Sequence, residues 1–142
     1  MNSKSVVRAL GAAAALTAFA GRGLAADPAL SIELNKLEEI DGKCQVSLVI
    51  DNRMGHALDR FNIDLFVFDR AGVIAQRLLV DLAPLRDDKT TVATFALVDG
   101  SCAGIGRVLV NDIPTCHGTD GQELDCVAAL AVSSRAGTPL AK

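Results

Sequence analysis

After residue 29, apolar and polar residues alternate with the period of two that sets successive side chains on opposite faces of a strand. "ALSIELNKLEE" places Leu30, Ile32 and Leu34 at every second position, and Leu37 then breaks the parity. "KCQVSLVID" sets Cys44, Val46, Leu48 and Ile50 against Gln45 and Ser47, and "RFNIDLFVFD" does the same with Phe61, Ile63, Leu65 and Val67. "VIAQRLLVDL", "TTVATFAL", "GRVLVNDI" and "LAVSS" continue the series. The breaks between them, "EIDGK", "NRMGHAL", "DRAG", "APLRDD", "DGSCAG" and "CHGTDGQELDC", are rich in the Gly and Asp that sharp reversals use. This spacing predicts an all-β fold, an antiparallel β-sandwich of about seven strands, rather than alternating strands and helices. One stretch departs from the pattern. In "ELDCVAAL", Leu124, Val127, Ala128 and Ala131 share a helical face, so a short helix is expected near residues 123–130.

The first residues follow a different logic. Lys4 and Arg8 precede an uncharged run from Ala9 to Ala20, and the small residues Gly23, Ala25 and Ala26 follow. That is the layout of a cleaved export signal, and the run is short of the about 20 residues needed to span a bilayer. Residues 1–25 are therefore expected to be a leader, with cleavage after Ala25 or Ala26. The chain lacks a twin-arginine pair, which favours the general export route, although Arg22 behind the apolar run leaves the folded-protein route open. Residues 26–134 are expected to form one domain, followed by a mobile tail at 135–142. The compartment implied is bacterial periplasm or the exterior, with no membrane span after cleavage. Loss of Lys4, Arg8 and Arg22 takes the 14 basic residues to 11 against 17 acidic ones, a net charge of −6. That sign repels nucleic acid. With no Trp or Tyr and five Phe, platforms for stacking bases or sugars are scarce as well.

Cys44, Cys102, Cys116 and Cys126 all follow the leader. An even count in a short exported chain reads as two disulfides. Four cysteines allow three pairings; Cys44–Cys102 and Cys116–Cys126 are favoured, one tying distant segments and one closing a local loop. Other chemistry fits less well. There is no Cys-x-x-Cys redox pair, and Cys116–His117 is a single adjacent pair where zinc wants two. Met54, His56, Cys116 and His117 hold the residue types of a blue-copper site without its close clustering. Asp120, Glu123 and Asp125 depart from the spacing of a twelve-residue calcium loop. A nucleophilic enzyme needs Ser or Cys beside a base, yet His56 and His117 are the only imidazoles and no Gly-x-Ser-x-Gly is present. "CAGIGRV" contains only Gly-x-Gly with no helix pattern after it. No catalytic residue, cofactor or metal ligand is assigned, and the chain is expected not to be an enzyme. The alternative is a small-ligand or metal-ion binder using the loops around His56 and His117.

"LFVFDRAGVIA", residues 65–75, joins a strand to a tight turn. Asp69 suits the turn because its carboxylate accepts from the backbone N–H groups that follow, and Gly72 suits a positive φ. With "SLVIDNRMGHALDRFNID" before it and "LAPLRDDKTTVATFAL" after, this region resembles FxLYD-type and related immunoglobulin-like extracellular domains. Val49-Ile50-Asp51-Asn52 takes the place of their strand ending in Asn, and Leu65-Phe66-Val67-Phe68-Asp69 that of their strand ending in aromatic-Asp. Gly72 and the segment from Leu85 to Lys89 take the remaining positions. Leu65, Val67 and Phe68 stand where the family has Phe, Leu and Tyr, and the match covers residues 45–97. The chain is also similar in plan to small four-cysteine exported proteins of alphaproteobacteria that carry no assigned activity. These resemblances imply an immunoglobulin-like sandwich with a non-catalytic, protein-binding or accessory role, its partner an envelope protein or a second copy. Phe66 and Phe68 face away from Leu65 and Val67, and either cover the second side of the sheet or form an interaction surface.

Overall fold

The computed structural model describes Gly23 and residues 25–142; the expected leader therefore lies outside the described residues but for Gly23 and Ala25. Eight strands follow in order: β1 (Leu30–Ile40), β2 (Lys43–Asn52), β3 (Leu58–Asp69), β4 (Ile74–Asp81), β5 (Lys89–Asp99), β6 (Ile105–Gly118), β7 (Leu130–Ser134) and β8 (Leu140–Ala141). A 3₁₀ turn at Cys102–Gly104 leads into β6, and a one-turn helix, α1 (Cys126–Ala129), leads into β7. The strands form two four-stranded sheets, β5-β2-β1-β7 (sheet I) and β4-β3-β6-β8 (sheet II). With β1, β2 and β5 in one layer and β3, β4 and β6 in the other, the partition is that of an immunoglobulin-like sandwich.

Local chemistry explains the turns. β1 and β2 are joined by Asp41 and Gly42, both at positive φ (51° and 73°), the two-residue hairpin whose twist matches the flanking strands. Between β3 and β4, Asp69 Oδ1 accepts from the N–H groups of Ala71 and Val73, both at 2.9 Å, and Gly72 takes φ 81°. The broken parity at Leu37 has a structural counterpart: the β1–β2 register shifts between Leu34 and Lys36. That extra residue turns Leu37 back toward Val46 and the core, which is what a bulge does.

The core lies between the sheets. Leu30, Ile32, Leu34, Val46 and Ile50 of sheet I pack toward Phe61, Ile63, Leu65, Val67 and Val108 of sheet II, all essentially without solvent contact. Asn52 ends the apolar row of β2 and is fully buried. Its Nδ2 donates to the carbonyls of His56, Leu85 and Arg86 at 2.9, 3.4 and 3.2 Å, and its Oδ1 accepts from Met54 N–H at 3.2 Å. One amide thus joins the β2–β3 loop to the β4–β5 loop. The two loops also exchange backbone bonds between Leu58 and Leu85, both at 2.8 Å.

Both disulfides have the favoured pairing. Cys44–Cys102 ties β2 to the 3₁₀ turn, and Cys116–Cys126 ties β6 to α1. The expected helix is present, but only one turn long, capped by Asp125 Oδ1 accepting from Ala128 N–H at 3.0 Å.

Three expectations need correction. The strand expected over "GRVLVNDI" continues through Pro114 to Gly118. Pro114 is tolerated because β8 reaches only Val108 and Leu109, so β6 has an open edge where the ring lies. The layers are not antiparallel throughout: β1–β7 and β6–β8 pair in parallel, because the chain crosses between sheets before each of these strands. The tail expected to be mobile is docked. β8 adds an eighth strand, Leu140 is buried, and Val108 N–H donates to Pro139 O at 2.9 Å. Leu140→Ala is accordingly expected to lower stability by about 2 kcal/mol, the low end for a buried leucine. Urea unfolding checks this; a change within error would mean the tail is not held.

Candidate functional site

The two outward faces of the sandwich differ in chemistry. On sheet I, Glu33, Gln45, Ser47, Asp51, Thr90 and Thr94 give a mostly polar surface, interrupted by Val49 and exposed Val92 and tied by a Ser47–Thr94 hydroxyl contact at 3.1 Å and a Thr90–Asp51 bond at 2.9 Å. Sheet II turns Phe66, Phe68 and Leu109 outward from adjacent strands, with Phe66 opposite Leu109 and Phe68 opposite Arg107. Exposed Ile74 and Leu79, at 53% and 65%, and Val73 at 60% continue the apolar surface along the β3–β4 hairpin. Alternation dictates this placement: once Leu65 and Val67 enter the core, their neighbours must face out.

Arginines cover the rings. The Arg107 guanidinium carbon is 4.1 Å from the Phe68 ring centre, and that of Arg77 is 5.2 Å from Phe66. Both are cation–π distances. Phe68 is thereby left 9% exposed and Phe66 half-buried. Of the two sequence alternatives, cover of the second side is met in part, the ring faces being covered by cations rather than by more core.

Asp64 anchors this face. It is 4% exposed, and it lies where the β3–β6 register shifts on either side of it. Arg77 Nε and Nη2 donate to its two oxygens at 2.8 and 3.1 Å, and Asn111 Nδ2 donates at 2.9 Å. Hydrogen bonds from Arg77 hold the Asp64 carboxyl below its ordinary range, with Asn111 adding to the effect against the opposing pull of burial, and Arg77 is raised in return. The sign follows from linkage. Asp64 ionises more readily in the folded chain, so its contribution is complete above the ordinary aspartate value of about 3.9 and disappears as pH falls through the lowered native value. Stability measured against pH should show this acid limb, and Asp64→Asn should flatten it; an unchanged limb would contradict the assignment.

The other candidate residues gather at one end of the sandwich. Leu58 pairs with Gly118, and Thr119 N–H donates to Ala57 O at 3.2 Å, so the loops carrying His56 and His117 are neighbours. Several acidic groups of these loops are engaged locally. Asp120 Oδ1 accepts from Gln122 N–H, Asp125 caps α1, and Asp87 Oδ1 accepts from Gly55 N–H. Arg53 bridges Asp51 and Asp88 across the loops, and its hydrogen bonds, with one from Thr90, lower the Asp51 carboxyl. Met54 Sδ lies 3.7 Å from Cys126 Sγ, but that sulfur is in a disulfide, as are the other three. A copper site built on Cys116 therefore lacks its thiolate. Among the described residues no three His, Cys, Asp or Glu side chains are grouped so as to hold a metal ion. An open groove of about 240 Å³ between the β4 and β5 edges is lined by Val67, Phe68, Gln76, Val98 and Ile105, which is below the usual size of a small-molecule pocket.

Sequence reasoning placed Phe66 and Phe68 on the outward face but gave no part there to Asp64, Arg77, Asn111 and Arg107. Nothing in the strand pattern marks an arginine as lying over a ring on a neighbouring strand. Among the described residues no helix is long and apolar enough to cross a membrane. No protein-family model, curated protein or solved structure matches the chain.

Proposed function

We propose that the chain is an exported, non-catalytic module that binds another protein of the bacterial envelope through the outward face of sheet II. The observation that carries this reading is the contrast between the two faces. Sheet I is mostly polar, with Val49 and exposed Val92 its apolar exception, whereas sheet II sets Phe66, Phe68 and Leu109 beside exposed Ile74 and Leu79, with Arg77 and Arg107 lying over the rings. An apolar patch with a polar rim is the usual mark of an interface. Aromatics and arginines are the residues that dominate binding energy there. The partner that fits offers carboxylates set among apolar side chains, since the Arg107 guanidinium held over Phe68 has its N–H fork free to chelate. Two disulfides support work in an oxidising compartment, and the leader-like residues 1–25 supply the route.

Capture from envelope extracts tests the reading by comparison of variants. The wild-type chain and a sheet I control, Val92→Ser, should retain the same partner, and Arg107→Glu and Phe66→Ser should lose it. Retention by all four forms, or loss only in the control, would overturn it.

A further inference from the structure

The open edge of sheet II carries a second, independent feature. β4 is an edge strand, and from Gln76 to Asp81 it pairs with β3 without interruption, opposite Val67 to Asn62. Leu82 N–H donates to Phe61 O at 2.9 Å, which fixes the phase of the ladder. Antiparallel residues alternate between bonding to one neighbour and to the other. Gln76, Leu78, Val80 and Leu82 therefore direct their backbone groups to β3, and Arg77, Leu79 and Asp81 direct theirs to the free edge. Arg77, Leu79 and Asp81 also put their side chains on the outward face, where Arg77 stands opposite Phe66 and Leu79 opposite Asp64.

We infer that two copies of this chain join through β4, antiparallel, in the register that sets Leu79 against Leu79 of the second copy. Three features of the strand favour this occupant. First, the uninterrupted stretch from Gln76 to Leu82 is centred on Leu79, so a two-fold axis there pairs the whole stretch with itself. Second, the charges complement each other in that register. Arg77 meets Asp81 of the second copy on one side of the axis, and Asp81 meets Arg77 on the other. Arg77 already donates from Nε and Nη2 to its own Asp64, and Nη1 remains to reach across. Third, half-buried Leu78 and Val80 oppose each other's counterparts at the inner side of the seam, while Leu79, the most exposed of these apolar side chains, gains a partner.

The other edges are less suited. β5 keeps one register from Lys89 to Ala96 before its shift, as β4 does from Gln76 to Asp81 beyond its own shift between Val67 and Phe68, but β5 begins with Lys89, a residue that discourages edge pairing, and no acid stands between Lys89 and Ala96 to meet it. β7 and β8 have 5 and 2 residues. The inference extends the proposed function without depending on the identity of a partner. Joining two β4 strands makes one continuous sheet of eight strands and doubles the arginine-covered aromatic face, so one dimer would present two binding faces side by side.

Sedimentation equilibrium of the purified, disulfide-intact chain over a range of concentrations tests it. The wild-type chain and Val92→Lys on β5 should dimerise alike. Leu79→Lys, which sets two lysines together on the axis, and Asp81→Lys, which sets lysine against arginine, should each weaken association by about tenfold or more. Both positions are exposed, and unchanged circular dichroism will confirm that the variants fold. Leu79→Cys should additionally cross-link the two copies on mild oxidation, because directly opposed residues of a hydrogen-bonded pair lie about 5.5 Å apart, within disulfide range. A chain that is monomeric throughout overturns the inference, as does a dimer that ignores both lysines or one broken by Val92→Lys. Partner capture by a monomeric wild-type chain would leave the proposed function standing while removing the dimer.

Discussion

Replacing Cys44 and Cys102 together by alanine is expected to lower the unfolding free energy by about 4 kcal/mol, from the entropy of the loop that the bridge closes. The cysteines are 58 residues apart in sequence, and the segment between them holds β3, β4 and β5. In the unfolded chain the bridge therefore constrains half of the domain. In the folded chain it joins segments that are neighbours already, since Cys44 pairs with Val98 shortly before the 3₁₀ turn. Its effect therefore falls on the unfolded state. Net stabilities of domains are about 5–15 kcal/mol, so this single change removes a large part. Cys116–Cys126 encloses a shorter segment with a separation of 10, for which the same relation gives about 3 kcal/mol. Urea unfolding of the two double-alanine variants measures both losses. Equal losses, or a larger one for the short loop, would contradict this ranking.

Asn52→Asp is expected to be the most damaging single substitution at the loop end of the sandwich, and its cost should depend on pH in an unusual direction. The amide nitrogen of Asn52 faces three carbonyl oxygens. A carboxylate there replaces both donated hydrogens with a negative charge in a site without solvent contact. An uncompensated buried charge of this kind costs about 3–5 kcal/mol. Burial and the surrounding carbonyls disfavour ionisation, so the folded-state pKa of the new Asp rises above the unfolded value of about 3.9. Stability relative to Asn52→Ala is then greatest below that value, where a protonated carboxyl can donate to one carbonyl, and is lost as pH rises through the folded pKa. Urea unfolding of both variants from pH 4 to pH 7 provides the comparison. A constant difference between them would show that water reaches the site.

Much of the fold was legible because burial imposes parity. Every strand read from alternation is present, and even the misfit at Leu37 corresponded to a bulge. The strand order at the edges was not legible. β7 and β8 each join a sheet beside a strand distant in sequence, and a two-residue strand such as Leu140–Ala141 is too short to show a period. Pro114 concealed the second half of β6, because proline ordinarily argues against a strand and only the open edge permits it in this position. At the candidate site, Phe66 and Phe68 could be placed on the outward face by counting from Leu65 and Val67. Their arginines could not. The Arg77–Asp64–Asn111 cluster joins three strands that are brought together by the fold, and Asp64 sits between two register shifts that the sequence does not display. Asn52 is an intermediate case. Its position continues the apolar row of β2, where a polar residue implies a buried hydrogen-bonding duty, but the three carbonyls it serves lie on loops without a recognisable pattern.

The most direct test of sheet II as the recognition face is site-specific photo-cross-linking in living cells, with benzoylphenylalanine in place of Phe66 and, separately, of Thr94 on sheet I. Adducts to another envelope protein from position 66, with none from position 94, are the expected result. Adducts from position 94 with none from position 66 would assign binding to the opposite face and contradict recognition through sheet II.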